Sequence, residues 1–124
     1  MNEAEYYRSV LDNLPGGFLS IDFSGTVVYG NAMAGRILHV PMPAVLGKPY
    51  DQALEPYPAL RDVIRGALET HQTTLRAEVS VSHGDARIVI GYSTLQVVDR
   101  QGQVLGMGII FQDLTLVARR RVAV

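Results

Sequence analysis

The apolar run from Val104 to Gln112 constrains this fold most, because it ends abruptly in Asp113, Leu114 and Thr115. It follows a turn sequence at residues 99–102 and is rich in β-branched side chains, which indicates a strand rather than a helix. Asp and Thr side chains accept hydrogen bonds from the free N–H groups of a starting helix. We therefore expect a central strand that passes into an exit helix, with Asp113 and Thr115 as candidate capping residues.

The composition of the chain restricts the class of protein. With 124 residues, 48% of them hydrophobic, the chain is long enough for one domain with a single core. Its net charge of −1 argues against the positive field that non-specific nucleic-acid binding requires, so we expect no nucleic-acid partner. The absence of cysteine excludes disulfides, thiolate metal sites and cysteine-linked chromophores, and we assign no metal-ligating or catalytic residue.

The N-terminal segment is acidic and polar rather than a basic region followed by an apolar one. No apolar run reaches the length of a membrane span. We therefore expect a cytoplasmic domain without direct membrane contact.

Two segments show helical periodicity. Tyr7, Val10, Leu11 and Leu14 fall at helical spacing and predict an amphipathic helix over residues 4–14. After Pro58, apolar residues repeat every three or four positions, which predicts the most regular helix of the chain. Between these two segments, prolines and glycines permit only short helical turns, an arrangement that suits a lid over a cavity.

Five segments have the composition of strands. The first two, residues 18–22 and 26–29, form a hairpin, and Asn31 is a candidate cap for the short helix that follows. Residues 74–81, residues 87–98 and the run described first are separated by turn sequences and should pair antiparallel. The predicted fold class is α+β, with a five-stranded antiparallel sheet, helices on one face, an N-terminal amphipathic helix and a C-terminal exit helix.

This order of elements resembles a PAS sensor domain over essentially the full chain. The final strands are most similar to those of PAS domains in bacterial sensor histidine kinases and related regulators, and the last motif is similar to the family's Asp-Ile-Thr. Four short motifs in the family's order and spacing carry the resemblance: Ile21 to Gly25 leading to Tyr29 to Ala32, Leu46 to Pro49, the strands around Gly91 to Ser93 with the turn Asp99 to Gly102, and Asp113 to Thr115.

The resemblance implies a division of the chain and a role for its last motif. Residues 1–15 form an N-terminal capping or dimerisation helix, residues 16–113 the PAS core, and residues 114–124 the start of a signalling helix toward an effector domain outside the chain. In the family the terminal motif couples the sheet to that helix. Asp113, Leu114 and Thr115 are therefore the expected signal-transmission residues.

In the family the sheet and its helices also enclose a pocket. Strand parity alone leaves open which face of the last strand is inside, but alignment with the family turns the face of Phe111 toward the pocket. The polar tips of Tyr92 and Thr94 would then either bind a ligand or find a backbone or water partner. The pocket residues implied in this way are Leu19, Ile21, Met33, Ile37, Val63, Ile64, Ile90, Tyr92, Thr94, Met107, Ile109 and Phe111.

This orientation leaves apolar side chains on the outer face of the sheet. An exposed apolar face calls for a cover, and the N-terminal helix could supply it within the same chain or across a homodimer. The expected dimer interface consists of Tyr7, Val10, Leu11, Leu14, Leu95, Val97 and Ile110.

The sequence supports neither haem nor flavin as a cofactor. Some PAS domains hold haem through a histidine in the long helix, but His71 lies at or past the end of that helix and His39 lies in the proline-rich segment. Flavin photochemistry of the family's light-sensing type needs a cysteine. Whether a small molecule occupies the pocket stays open, and we interpret Arg119, Arg120 and Arg121 as complementing the helix dipole.

The resemblance implies a sensory or regulatory domain of a bacterial signal-transduction protein, a sensor histidine kinase, that transmits ligand or partner binding to an effector in the same polypeptide. The domain itself is not expected to be an enzyme. One alternative is a ligand-free dimerisation or protein-interaction module. A second is a small cone-shaped isomerase-like enzyme with Tyr29, Tyr50 or Tyr92 in its cavity, which would need a buried carboxylate base. Every acid is instead predicted in a turn, a cap or a solvated face.

Overall fold

The computed structural model describes residues 2–123, except the side chains of residue 119 and residues 121–123. The strands are β1 (Gly17–Asp22), β2 (Val27–Gly30), β3 (Ala77–His83), β4 (Ala86–Val98) and β5 (Val104–Asp113). The helices of this described part are α1 (Glu3–Asp12), α2 (Ala32–Leu38), α3 (Met42–Val45), α4 (Tyr50–Ala53), α5 (Pro58–Thr70) and α6 (Thr115–Ala123). None of these helices combines the length and the apolar character that crossing a bilayer requires.

The five strands form one antiparallel sheet in the order β2-β1-β5-β4-β3. The predicted α+β fold class is therefore confirmed, and β5 is the central strand, paired with β1 on one side and β4 on the other. Met107, Ile109 and Phe111 of β5 are each no more than 2% exposed, whereas Ile110 between them is 40% exposed. One face of the sheet is thus the core and the other is the outer face.

The third strand begins later than its composition predicts. We expected a strand from residue 74, but β3 begins at Ala77. Arg76 has a φ of 54°, in the left-handed region, and this interrupts the extended backbone. Thr74 is instead held to β4 by its backbone, because its C=O accepts from the Thr94 N–H at 2.8 Å and its N–H donates to Thr94 Oγ1 at 2.9 Å.

The helices α2 to α5 supply the side chains that cover the inner face. Proline stands in the first turn of α5, as predicted, and Leu60 and Ile64 of this helix are buried in the core. Tyr57, immediately before α5, is 1% exposed, and its hydroxyl donates to the C=O of Leu38 at the end of α2. Burial raises the pKa of Tyr57, which keeps the phenol protonated as a donor. A buried hydrogen bond therefore holds the start of α5 to the end of α2.

The side chain of Asn31 joins three elements at the start of the sheet. It is 0% exposed. Its Oδ1 accepts from the backbone N–H of Phe18 and from that of Ala34, both at 2.9 Å, so the predicted cap of α2 is present. Its Nδ2 donates to the C=O of Leu11 at 2.8 Å and of Gly16 at 3.0 Å. One buried amide therefore links α1, β1 and α2.

The helix α1 buries none of its own residues. Besides the link from Asn31 to its last turn, it is held by the hydroxyl of Tyr29 in β2, which donates to Asp12 Oδ1 at 2.9 Å. Burial, followed by this hydrogen bond, raises the pKa of Tyr29 to about 12. The helix therefore depends on polar ties to the β2 edge of the sheet.

We expect Asn31→Ala to lower the free energy of unfolding by about 3 kcal/mol, because it removes four hydrogen bonds to buried or partly buried backbone groups. Urea denaturation measures the change. Asn13→Ala is the matched control, since Asn13 is exposed and bonds only within α1, to the Ser9 C=O, and we expect it to shift stability by less than about 0.5 kcal/mol. Equal effects of the two substitutions would contradict the proposed importance of the buried amide.

The raised pKa of Tyr29 predicts a loss of stability between pH 10 and about pH 12. In this interval the unfolded phenol has released its proton while the folded one retains it, so the unfolded chain binds fewer protons and the free energy of unfolding falls as pH rises. Tyr29→Phe should flatten this part of the pH profile in urea unfolding. Tyr6→Phe, at an exposed tyrosine of α1, should leave the slope as it is in the native chain.

Candidate functional site

The junction between β5 and α6 is built from local hydrogen bonds. Asp113 Oδ1 accepts from the backbone N–H of Thr115 at 2.9 Å and also from the Thr115 hydroxyl. The carboxylate therefore supplies the capping oxygen, and Thr115 is the first residue of α6. Of the two candidate caps, Asp113 supplies the oxygen, whereas Thr115 does not cap the helix, because its own N–H is the group being capped and its hydroxyl bonds elsewhere.

The junction is also attached twice to a single residue of β4. The Thr115 Oγ1 accepts from the Val89 N–H at 3.1 Å, and the Leu114 N–H donates to the Val89 C=O at 2.7 Å. The Leu114 C=O then accepts from the Ala118 N–H at 2.8 Å, in the first turn of α6. Strand β4 is thereby bonded directly to the start of the exit helix. Sequence reasoning missed Val89 because its backbone, not its side chain, makes these bonds.

All the residues predicted for an inner pocket except Met33 are buried or pack against the core. Four of them, Met33, Ile37, Val63 and Tyr92, are half-buried. The remaining eight are buried: Leu19, Ile21, Ile64, Ile90, Thr94, Met107, Ile109 and Phe111.

Thr94 is 4% exposed, and its hydroxyl accepts from the Thr74 N–H. Of the two outcomes left open for this polar tip, the structure shows a backbone partner. Tyr92 lines a cavity of about 280 Å³ together with Val63 and Ala67 of α5. This cavity lies between α5 and β4 and contacts two of the predicted pocket residues.

The residues predicted for a dimer interface form two separate surfaces. On α1, Tyr7 is 56% and Val10 is 47% exposed, and Leu11 is half-buried. Leu14 is also half-buried but lies beyond α1, because the helix ends at Asp12, two residues before the predicted end. On the sheet, Ile110 is 40% exposed, and Leu95 and Val97 are half-buried. Because Ile110 remains exposed and α1 is held at the β2 edge, α1 does not cover this part of the outer face within the chain.

The histidines weighed as haem ligands occupy helix ends. His39 follows α2 with a φ of 56° and His71 follows α5 with a φ of 59°, so both stand in the left-handed conformation of C-terminal caps. Both are exposed, and their rings contact neighbours: His39 stacks on His83 at 4.1 Å between centroids, and His71 meets Phe23 at 5.0 Å with the rings tilted by 43°. No cluster of three or more possible metal-ligating side chains occurs in the described part of the chain.

Comparison with known proteins was made for the whole chain. The family model described as "PAS fold" matches residues 11–119. No curated protein matches the chain. Among solved structures, the PAS domain of a protein from Colwellia psychrerythraea is 14% identical with a TM-score of 0.69, and the match covers 93% of this chain and 99% of that one.

Two further structures are similar. The PAS domain of Bordetella pertussis BvgS is 17% identical with a TM-score of 0.67, covering 98% of this chain and 96% of that one. The Vibrio cholerae VqmA dimer is 19% identical with a TM-score of 0.73, covering 95% of this chain but only 54% of that one. At these identities the likeness establishes the fold. The present chain corresponds to about half of the VqmA chain.

Proposed function

The chain belongs to the PAS-fold family, and we propose that it is the sensory or regulatory domain of a bacterial signal-transduction protein. In this proposal residues 16–113 are the sensing core, residues 1–15 a dimerisation helix, and residues 114–124 the start of an output helix in a cytoplasmic protein. The observation that carries the proposal is the double attachment of Leu114 and Thr115 to Val89. It supplies a physical connection between the sheet and the exit helix.

The proposed mechanism follows from the position of Val89. The next residue, Ile90, is 0% exposed and faces the core, so a ligand or partner that displaces the inner face also displaces β4. The displacement reaches α6 through the bonds at Val89. A hydrogen bond of this kind is worth about 1 kcal/mol, and about 1.4 kcal/mol shifts a two-state equilibrium tenfold. The junction is therefore strong enough to bias an output.

We propose a histidine kinase as the effector, from the resemblance of the final strands. A DNA-binding effector is the second candidate, since one similar structure is described as a VqmA complex with ligand and DNA. In that case the nucleic acid would contact the effector and not this domain, whose net charge is −1. In both cases the domain itself carries out no chemistry.

Two alternatives differ in what they require of the core. A ligand-free interaction module is supported by the packing of most of the predicted pocket residues in or against one core cluster. An isomerase-like enzyme needs a buried carboxylate, but among the described residues the buried polar side chains are Asn31 and Thr94. The most constrained acid, Asp22, has its pKa lowered, chiefly by the hydrogen bond from the Ser24 side chain. Such a carboxylate is a weak base, which disfavours the enzyme.

Output of the full-length protein tests the junction. Thr115→Val keeps the side-chain shape but removes the oxygen that accepts from Val89, and we expect it to change basal or stimulated autophosphorylation at least threefold. Thr115→Ser keeps the hydroxyl and should retain most of the native output. Thr70→Val is the matched control, because the Thr70 hydroxyl oxygen also accepts from a backbone N–H, that of Gln72 at 3.2 Å. Native output from Thr115→Val would remove the junction from the mechanism.

The proposed homodimer is tested by native mass spectrometry of the purified domain, which also reports any retained ligand. Ile110→Arg places a charge on the apolar outer face, and we expect it to convert the dimer into a monomer. Leu75→Arg is the control, since Leu75 is 80% exposed and lies outside the expected interface. A native chain that is monomeric at all concentrations, or a dimer unaffected by Ile110→Arg, would contradict the interface.

A further inference from the structure

Gly91 occupies an unusual position in the middle of β4. In the ladder it pairs with Glu78 of β3 and with Gln112 of β5, so strands flank it on both sides. Glycine weakens the interior of a strand and often marks a place where another group approaches closely. A Cβ added to Gly91 would lie 2.4 Å from Leu114 Cδ1 and 3.1 Å from Leu114 Cγ. The missing side chain thus makes room for Leu114.

The direction of the Leu114 side chain follows from the sheet. Its N–H bonds to the Val89 C=O, which extends the ladder one residue beyond the end of β5. Side chains alternate along a strand, so Leu114 points to the same outer face as Ile110 and Gln112. Leu114 is half-buried there, whereas Leu116 in the first turn of α6 is 68% exposed. Leu114 is thus the apolar anchor of the junction on the outer face.

We propose that Gly91 is a positioning residue for signal transmission, because the space above it, the Gly91 seat, holds Leu114 and thereby fixes where the exit helix begins. This inference rests on the proposed function and adds a side-chain attachment to the backbone attachment at Val89. Both attachments belong to the same strand, two residues apart. A change in the twist of β4 between Val89 and Gly91 would therefore move the backbone and the side chain of the junction relative to each other.

The seat borders an open space into which Leu114 can move. A groove of about 310 Å³ on the outer face is lined by Leu114 and Gly91 together with Ser93, Ile110 and Gln112. A leucine displaced from the seat has room to turn into this groove without breaking the sheet. In this proposal the groove is the second position of the Leu114 side chain, and two positions are what a switching element requires.

Substitution of Gly91 should act on Leu114 rather than on the fold. The atom that an added Cβ would meet is the end of a flexible side chain. At Gly106, by contrast, a Cβ would lie 2.2 Å from the backbone oxygen of Ile21, inside the ladder between β1 and β5. Gly91→Ala is therefore expected to fold, with Leu114 displaced from the seat.

Amide hydrogen exchange in the purified chain tests the seat without any effector. The reporter is the N–H of Ala118, which bonds to the Leu114 C=O. We expect Gly91→Ala and Leu114→Ala each to accelerate its exchange at least fivefold, and the double variant to show no further acceleration because both act on one contact. Unchanged exchange at Ile109 in the core would show that the effect is local.

Gly66→Ala is the matched control, since a Cβ at Gly66 in α5 meets no atom within 4 Å, and we expect native exchange at Ala118. Native exchange in Gly91→Ala, or accelerations that multiply in the double variant, would overturn the seat.

Output of the full-length protein distinguishes a failure of the Gly91 seat from a failure of the proposed function. Gly91→Ala should change output at least threefold, in the same direction as Leu114→Ala. Altered exchange with native output from both Gly91→Ala and Thr115→Val would refute the signalling role and leave the seat as a structural feature.

Discussion

The buried amide of Asn31 is the interaction on which the arrangement of this domain depends. A fully buried amide is stable only when its donors and its acceptor oxygen are all engaged. Here its oxygen and its nitrogen bind four backbone groups. They belong to Leu11 of α1, Gly16 just before β1, Phe18 of β1 and Ala34 of α2. The amide thereby sets where β1 begins, and β1 in turn pairs along β5 from Gly17 to Asp22.

The central position of β5 connects the junction at its end to the strands on both sides. Strands β1 and β4 flank β5, and its inward side chains lie in the same core as α5. The two residues that follow β5 bond to Val89, so the start of the exit helix is attached to β4. The backbone bonds at Val89 and the Leu114 side chain above Gly91 act on the two consecutive residues at which strand becomes helix.

Much of the fold was predictable from local patterns. The apolar run of β5, rich in β-branched residues, identifies a strand, and the apolar repeat after Pro58 identifies a helix with one buried face. Asn31 was recognised as a helix cap from its type and position. Its bonds to Leu11 and Gly16 were not, because they join residues far apart in the chain. The start of β3 was missed because a left-handed arginine at residue 76 has no sequence signal.

For the candidate site, the sequence by itself determined which residues stand at the exit from the sheet and that their side chains can bond to a starting helix. The bond from the Thr115 N–H to Asp113 is local and joins residues two positions apart. Only the tertiary structure decided that the Thr115 hydroxyl bonds to Val89, because strand pairing brings β4 beside the junction. The same holds for Gly91, because a single glycine in a strand sequence does not indicate which side chain packs against it. It becomes a place for Leu114 only when β4 and β5 lie side by side in this register.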